Sequence, residues 1–187
     1  LFNEPKPANR TTYWAATGAS SDDVDQAFYG SSITTNCVLE GVTIVGFGKV
    51  AISTGDKVAL KMIKCRMIGN NSKYQTSQTI GGMLVYGLFY AEDCDFLAMH
   101  TPLALLQPSN ATYMTNILRR CRFRYTYGSG SSSGGGFIVN TASRDLILDG
   151  CEFSDSYFWT YQGAQKWSVE IVNVKDIKMF DSVIARN

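Results

Sequence analysis

The stretch LILDGCEF, Leu146 to Phe153, places Cys151 between Asp149 and Glu152 at the junction of two short apolar runs. A thiol beside carboxylates invites two readings, a nucleophile or a metal ligand. A reactive cysteine needs exposure, a lowered pKa and usually a histidine partner, and the chain has a single histidine, His100. CxxC spacing is absent, so no metal site is implied. Five cysteines are an odd number for a disulfide framework. The carboxylates Asp93, Asp95 and Glu152 offer a second chemistry, because paired acids carry glycoside hydrolysis in acid, base or nucleophile roles. Aromatic side chains offer a third. Tyr125 and Tyr127 open the turn RYTYGSGSSSGGG, and Tyr157, Trp159 and Tyr161 crowd SDSYFWTYQGAQKW. Sugar rings present apolar CH faces and hydroxyls, which suit an aromatic shelf beside polar side chains.

What these residues can do depends on the elements that hold them, and the cysteines reveal the frame. Cys65, Cys94, Cys121 and Cys151 are separated by 29, 27 and 30 residues. Around them stand ALKMIKCRMI, LFYAEDCDFL, TNILRRCRFR and DLILDGCEFS, and NCVLEGVTIV and DIKMFDSVIA fit the same frame with Val42 and Ser182 at the hinge. Two residues after each hinge come Ile44, Met67, Phe96, Phe123, Phe153 and Ile184, and three before it Leu39, Met62, Ala91, Leu118, Leu148 and Met179. Five before it come Cys37, Leu60, Phe89, Asn116, Leu146 and Ile177, with Asn116 the one polar member. Such alternation predicts short strands with one buried face on each side of a recurring bend. The segments GGMLVYG, PLALLQ, GGFIVN and WSVEIVNV read as a further strand in each repeat.

A repeat of this length with several short strands and no helical pattern predicts an all-β solenoid whose units stack and pile equivalent side chains in columns. In that arrangement the cysteines are buried core residues. The column after the hinge runs Arg66, Asp95, Arg122, Glu152, and the one before it Lys64, Asp93, Arg120. Opposite charges on adjacent strands predict an ion-pair ladder, which competes with catalysis as the role of these acids.

Composition sets the remaining limits. A chain of 187 residues with 45% hydrophobic content supports one domain, expected over 31–187, with 1–30 as an N-terminal cap or linker. Seventeen basic against sixteen acidic residues give a net charge of +1, so no global field draws the chain to nucleic acid. No apolar run is long enough for membrane insertion. The start LFNEPKPANR has neither a signal-peptide core nor a Met and reads as a piece of a longer product.

Strand, small or Asp-Gly-Cys bend, strand, repeated at this period, resembles the right-handed parallel β-helix of the pectin-lyase-like superfamily, which includes bacteriophage tailspike and tail-fibre proteins. The phrase LEGVTIVGFG, Leu39 to Gly48, is typical of how a coil begins there, and the resemblance covers Ser31 to Asn187. It implies about six coils, a virion-tail or extracellular location and a homotrimer. It further implies contact with cell-surface polysaccharide, with other domains of the same chain or with virion proteins, and no cofactor. The leading expectation is a receptor-binding or structural module of a phage tail, with Tyr125, Tyr127, Tyr157, Trp159 and Tyr161 contacting carbohydrate. The alternatives are a polysaccharide hydrolase or lyase using Asp93, Asp95 and Glu152, and a bacterial surface adhesin of the same fold.

Overall fold

The computed structural model describes residues 12–15, 28–30, 36–45, 52–55, 58–69, 82–99, 103–105, 115–125, 127–129, 138–140, 145–155, 157–159, 169–171 and 176–186. All regular structure among them is β-strand, and every strand pairing is parallel. The hinge separates two sheets. Before it lie, in stacking order, Cys37–Glu40, Ala59–Ile63, Leu88–Glu92, Thr115–Arg119, Asp145–Asp149 and Ile177–Phe180. After it lie Thr12–Ala15, Val42–Val45, Arg66–Ile68, Asp95–Leu97, Arg122–Arg124, Glu152–Ser154 and Val183–Ala185. A third sheet stacks Phe28–Gly30, Ile52–Thr54, Met83–Val85, Leu103–Leu105, Ile138–Asn140 and Val169–Ile171. The chain visits the three sheets in a fixed cycle and returns to each one strand further along, an order consistent with a parallel β-solenoid. Each circuit is called a rung below. Two strands, Thr12–Ala15 and Phe28–Gly30, come from the segment expected as a cap or linker and extend two of the sheets by pairing with Val42–Val45 and Ile52–Thr54.

The bend is made by the residue preceding each hinge position. Gly41, Lys64, Asp93, Arg120, Gly150 and Asp181 all have positive φ, between 43° and 64°. Their backbone N–H groups stay in the ladder: Lys64 donates to the Glu92 carbonyl at 2.9 Å, Asp93 to Arg119 at 3.0 Å and Arg120 to Asp149 at 2.7 Å. A left-handed conformation costs a non-glycine residue roughly 1–2 kcal/mol. The inter-rung hydrogen bond offsets much of this, at about 0.5–1.5 kcal/mol. Four of the six positions therefore manage without glycine.

The core consists of the columns expected from the repeat. Leu60, Met62, Met67, Phe89, Ala91, Phe96, Leu118, Phe123, Leu146, Leu148 and Phe153 are buried, as are Ile52, Met83, Val85, Leu103 and Leu105 from the third sheet. Phe96, Phe123 and Phe153 form a continuous stack, with ring centroids 4.6 and 5.1 Å apart and interplanar angles of 14° and 13°. The polar misfit Asn116 is fully buried, and its Oδ1 accepts a 2.9 Å hydrogen bond from the Phe89 N–H. Backbone pairing here covers only Tyr90 to Glu92 against Ile117 to Arg119, whereas pairing on either flank covers five residues. The side-chain amide thus stands in for a missing backbone acceptor, which an apolar residue cannot do. In the last described rung the inward positions Ile177, Met179 and Ile184 remain exposed.

Candidate functional site

The four hinge cysteines are buried and free. Cys65, Cys94, Cys121 and Cys151 touch thiol to thiol along the stack. Their sulfurs also donate to main-chain carbonyls left by the bend: Cys94 to Glu92 at 3.2 Å, Cys121 to Arg119 at 3.3 Å and Cys151 to Leu118 at 3.4 Å. Ser182 continues the file by donating to the Phe180 carbonyl at 2.8 Å and accepting from the Cys151 N–H at 3.0 Å. Five of the six hinge positions thus carry a small side chain with a donor, Val42 being the exception. Contact with the Cys94 thiol, then burial, pushes Cys65 up, and contacts with Cys151 and Cys94 do the same for Cys121. These thiols fill and satisfy the bend; lacking exposure, they are not placed for nucleophilic chemistry. Among the described residues no group of three or more His, Cys, Asp and Glu is arranged to hold a metal ion.

The candidate acids sit just before the hinge and on the strand after it, each against an arginine of an adjacent rung. Arg120 Nε is 2.7 Å from Asp93 Oδ1, and its Nη2 also contacts Glu92. Arg122 Nε is 2.6 Å from Asp95 Oδ1. Backbone register sets Arg122 opposite both Asp95 and Glu152, as the ladder predicts. The Glu152 carboxylate instead meets Arg124 Nη2, two residues further along. Tyr90 donates a 2.5 Å hydrogen bond to Glu92, with Lys61 Nζ 5.3 Å from the centroid of its ring. The Tyr90 hydroxyl followed by Arg120 holds Glu92 below the ordinary carboxylate range, Arg120 holds Asp93 there, and Arg124 holds Glu152 there.

A glycosidase acid must keep its proton at working pH, which calls for a raised pKa. Asp93 and Glu152 move the other way. Asp95 and Glu152 stand two rungs apart in one column, on the order of 9.6 Å by strand spacing. That gap lies at the outer edge of the roughly 6.5–9.5 Å that holds a catalytic water in an inverting enzyme, and Arg122 occupies the register position between them. As arranged, these acids form an ion-paired lattice along the stack.

The aromatic residues take a different geometry. After Arg124 and after Ser154 the chain turns through residues of positive φ, Tyr125 at 57° and Asp155 at 57°. It then forms a separate two-stranded parallel sheet, Tyr127–Ser129 against Tyr157–Trp159. Register pairs Tyr127 with Tyr157, Gly128 with Phe158 and Ser129 with Trp159. This spur brings the two aromatic turns side by side in register. Tyr125, at the corner from which the spur leaves, is 58% exposed. Tyr161, the fifth aromatic candidate, lies outside the described residues.

Sequence reasoning missed the corner's polar members. Arg186 grips Asp155 with Nε at 2.5 Å and Nη2 at 2.9 Å, and Ser154 Oγ lies 2.8 Å from Glu152 Oε1 and 3.0 Å from Asp155 Oδ2. Arg186 holds the Asp155 carboxyl down at about 2. The signal was present in the sequence: Tyr125, Asp155 and Arg186 are each four residues after a hinge position. In comparisons with known proteins the chain matches no family model, no curated protein and no solved structure.

Proposed function

We propose that the chain is a non-catalytic glycan-contacting module built on a right-handed parallel β-helix of about six coils, of the pectin-lyase-like type found in phage tailspikes and tail fibres. The observation that carries the glycan reading is the spur. Two turns of different sequence pair in register, which sets Tyr127 opposite Tyr157 and Ser129 opposite Trp159. An aromatic shelf at these turns suits the CH face of one or two pyranose rings. The hinge acids support a binding role over hydrolysis, because arginines engage Asp93, Asp95 and Glu152. Placement on a virion tail, assembly as a homotrimer and contact with host surface polysaccharide follow from the repeat resemblance. Several weak sites on one trimer would then act together through avidity. A bacterial adhesin would use the same shelf on a different carrier.

The test is incubation with bacterial surface polysaccharides, assaying both retention and release of reducing ends or unsaturated sugars. Binding without cleavage, abolished by Trp159→Ala and kept by Asp95→Asn, is expected. Fragment release that stops with Asp95→Asn or Glu152→Gln would replace the module with an enzyme.

A further inference from the structure

Resting on the glycan reading above, we propose that the corner cluster of Arg124, Tyr125, Glu152, Asp155 and Arg186 is the polar subsite of that shelf, and that it selects uncharged sugars bearing vicinal hydroxyls over acidic ones. The cluster spans three consecutive rungs. Tyr125 and Asp155 each precede the first spur residue of their rung by two positions, so the corner and the aromatic shelf are adjoining parts of the same two turns.

The polar groups come in matched amounts. Arg124 pairs with Glu152, and Arg186 pairs with Asp155 through two nitrogens. Two cations against two carboxylates leave no net charge. An acidic sugar drawn to this corner would sit beside the carboxylates of Asp155 and Glu152, a like-charge arrangement that opposes binding. A neutral diol meets no such penalty. The fork from Arg186 uses Nε and Nη2, leaving both N–H groups of Nη1 to donate, and the neighbouring carboxylate oxygens retain acceptor lone pairs. Each sugar hydroxyl both donates and accepts, so donor and acceptor side by side complement a vicinal pair. Arg186 and Tyr125 are open to solvent, with the Arg186 side chain 65% exposed. The carboxylates stay ionised at all ordinary pH values, since their partners hold both below the usual range. Neutrality of the subsite is therefore a constant of the structure between about pH 5 and 9.

The experiment is a printed array of bacterial polysaccharides sorted into neutral members and those carrying uronate, sialate or phosphate, followed by calorimetric titration of the best neutral member. Hits should fall among the neutral members, and the dissociation constant should change less than about twofold between 50 and 500 mM NaCl, since no net charge is available to screen. Arg186→Gln and Asp155→Asn should each weaken binding by about tenfold or more, the value of a hydrogen bond to a charged group, with an unchanged far-UV spectrum and melting temperature within a few degrees. Hits confined to acidic members, or a steep salt dependence, overturn the selectivity. Loss of binding with Trp159→Ala but none with Arg186→Gln overturns the subsite and leaves the aromatic shelf intact. No binding to any member overturns the glycan reading itself.

Discussion

Replacing Phe123 with alanine measures how much the ring column contributes to holding the rungs together. Phe123 is fully buried and lies between Phe96 at 4.6 Å and Phe153 at 5.1 Å, nearly parallel to both. Truncating a buried phenylalanine costs about 3–5 kcal/mol from lost transfer energy and the cavity left behind. Each stacked pair adds about 0.5–1.5 kcal/mol beyond area alone, and this substitution removes two. The expected loss is therefore at the upper end, about 4–5 kcal/mol. Phe96→Ala is the internal control. Phe96 is equally buried and stacks on Phe123, but its register partner on the other side is Met67, so its loss should be smaller by about one stacked pair, roughly 1 kcal/mol. Urea unfolding followed by far-UV circular dichroism and tryptophan fluorescence reads both, with comparable m values required before the midpoints are compared. A loss below about 2 kcal/mol for Phe123→Ala, or equal losses for the two variants, would refute a column that stabilises by stacking.

The thiol file makes two predictions. Cys121→Ser keeps a small donor facing the Arg119 carbonyl and should cost no more than about 1 kcal/mol, whereas the bulkier, donorless Cys121→Val should cost about 1–3 kcal/mol by the same unfolding assay. In a thiol titration of the native protein the half-buried Cys37 should react slowly, held back by a burial-raised pKa, and the four hinge thiols only when denaturant is added. The acids predict a pH profile. Glu92, Asp93, Glu152 and Asp155 all have folded values below their unfolded ones, so their contribution is complete above about pH 4–5 and is lost as pH falls through the folded values, to about 2 for Asp155. The urea midpoint should hold level from pH 7 to 5 and fall steadily below that; a midpoint that rises on acidification contradicts the lattice. Gly41→Ala isolates the cost of the bend, because an added Cβ meets nothing within 4 Å while φ is +64°. It should lower stability by about 1 kcal/mol.

The repeat was legible because each rung must bury the same three positions around the hinge, which leaves a column of apolar residues at fixed offsets. What the columns omit was harder to read. Thr12–Ala15 and Phe28–Gly30 join sheets without a hinge residue to mark them. The spur strand Tyr127–Ser129 reads YGS, too short and too rich in glycine to show alternation, and only its partner in the next rung makes it a strand. The charge ladder was visible as a column, yet Glu152 chose Arg124 over its register neighbour Arg122 because a long guanidinium side chain can reach diagonally. Asn116 looked like a misfit since sequence shows the loss of an apolar residue but not the missing backbone acceptor that the amide replaces.

That short stretch of ladder has a mechanical meaning. Tension along the stack loads the rungs in series, so rupture begins at the interface with the fewest backbone bonds. Among the described residues of the sheet before the hinge, that interface lies between Leu88–Glu92 and Thr115–Arg119. Across the same plane Arg120 clasps Glu92 and Asp93, and Arg122 clasps Asp95. The plane weakest in its main chain is thus riveted by charge, and its strength can be tuned by the ionic strength of the surrounding medium. Pulled in fresh water the molecule is one rod; pulled in brine it has a place to break.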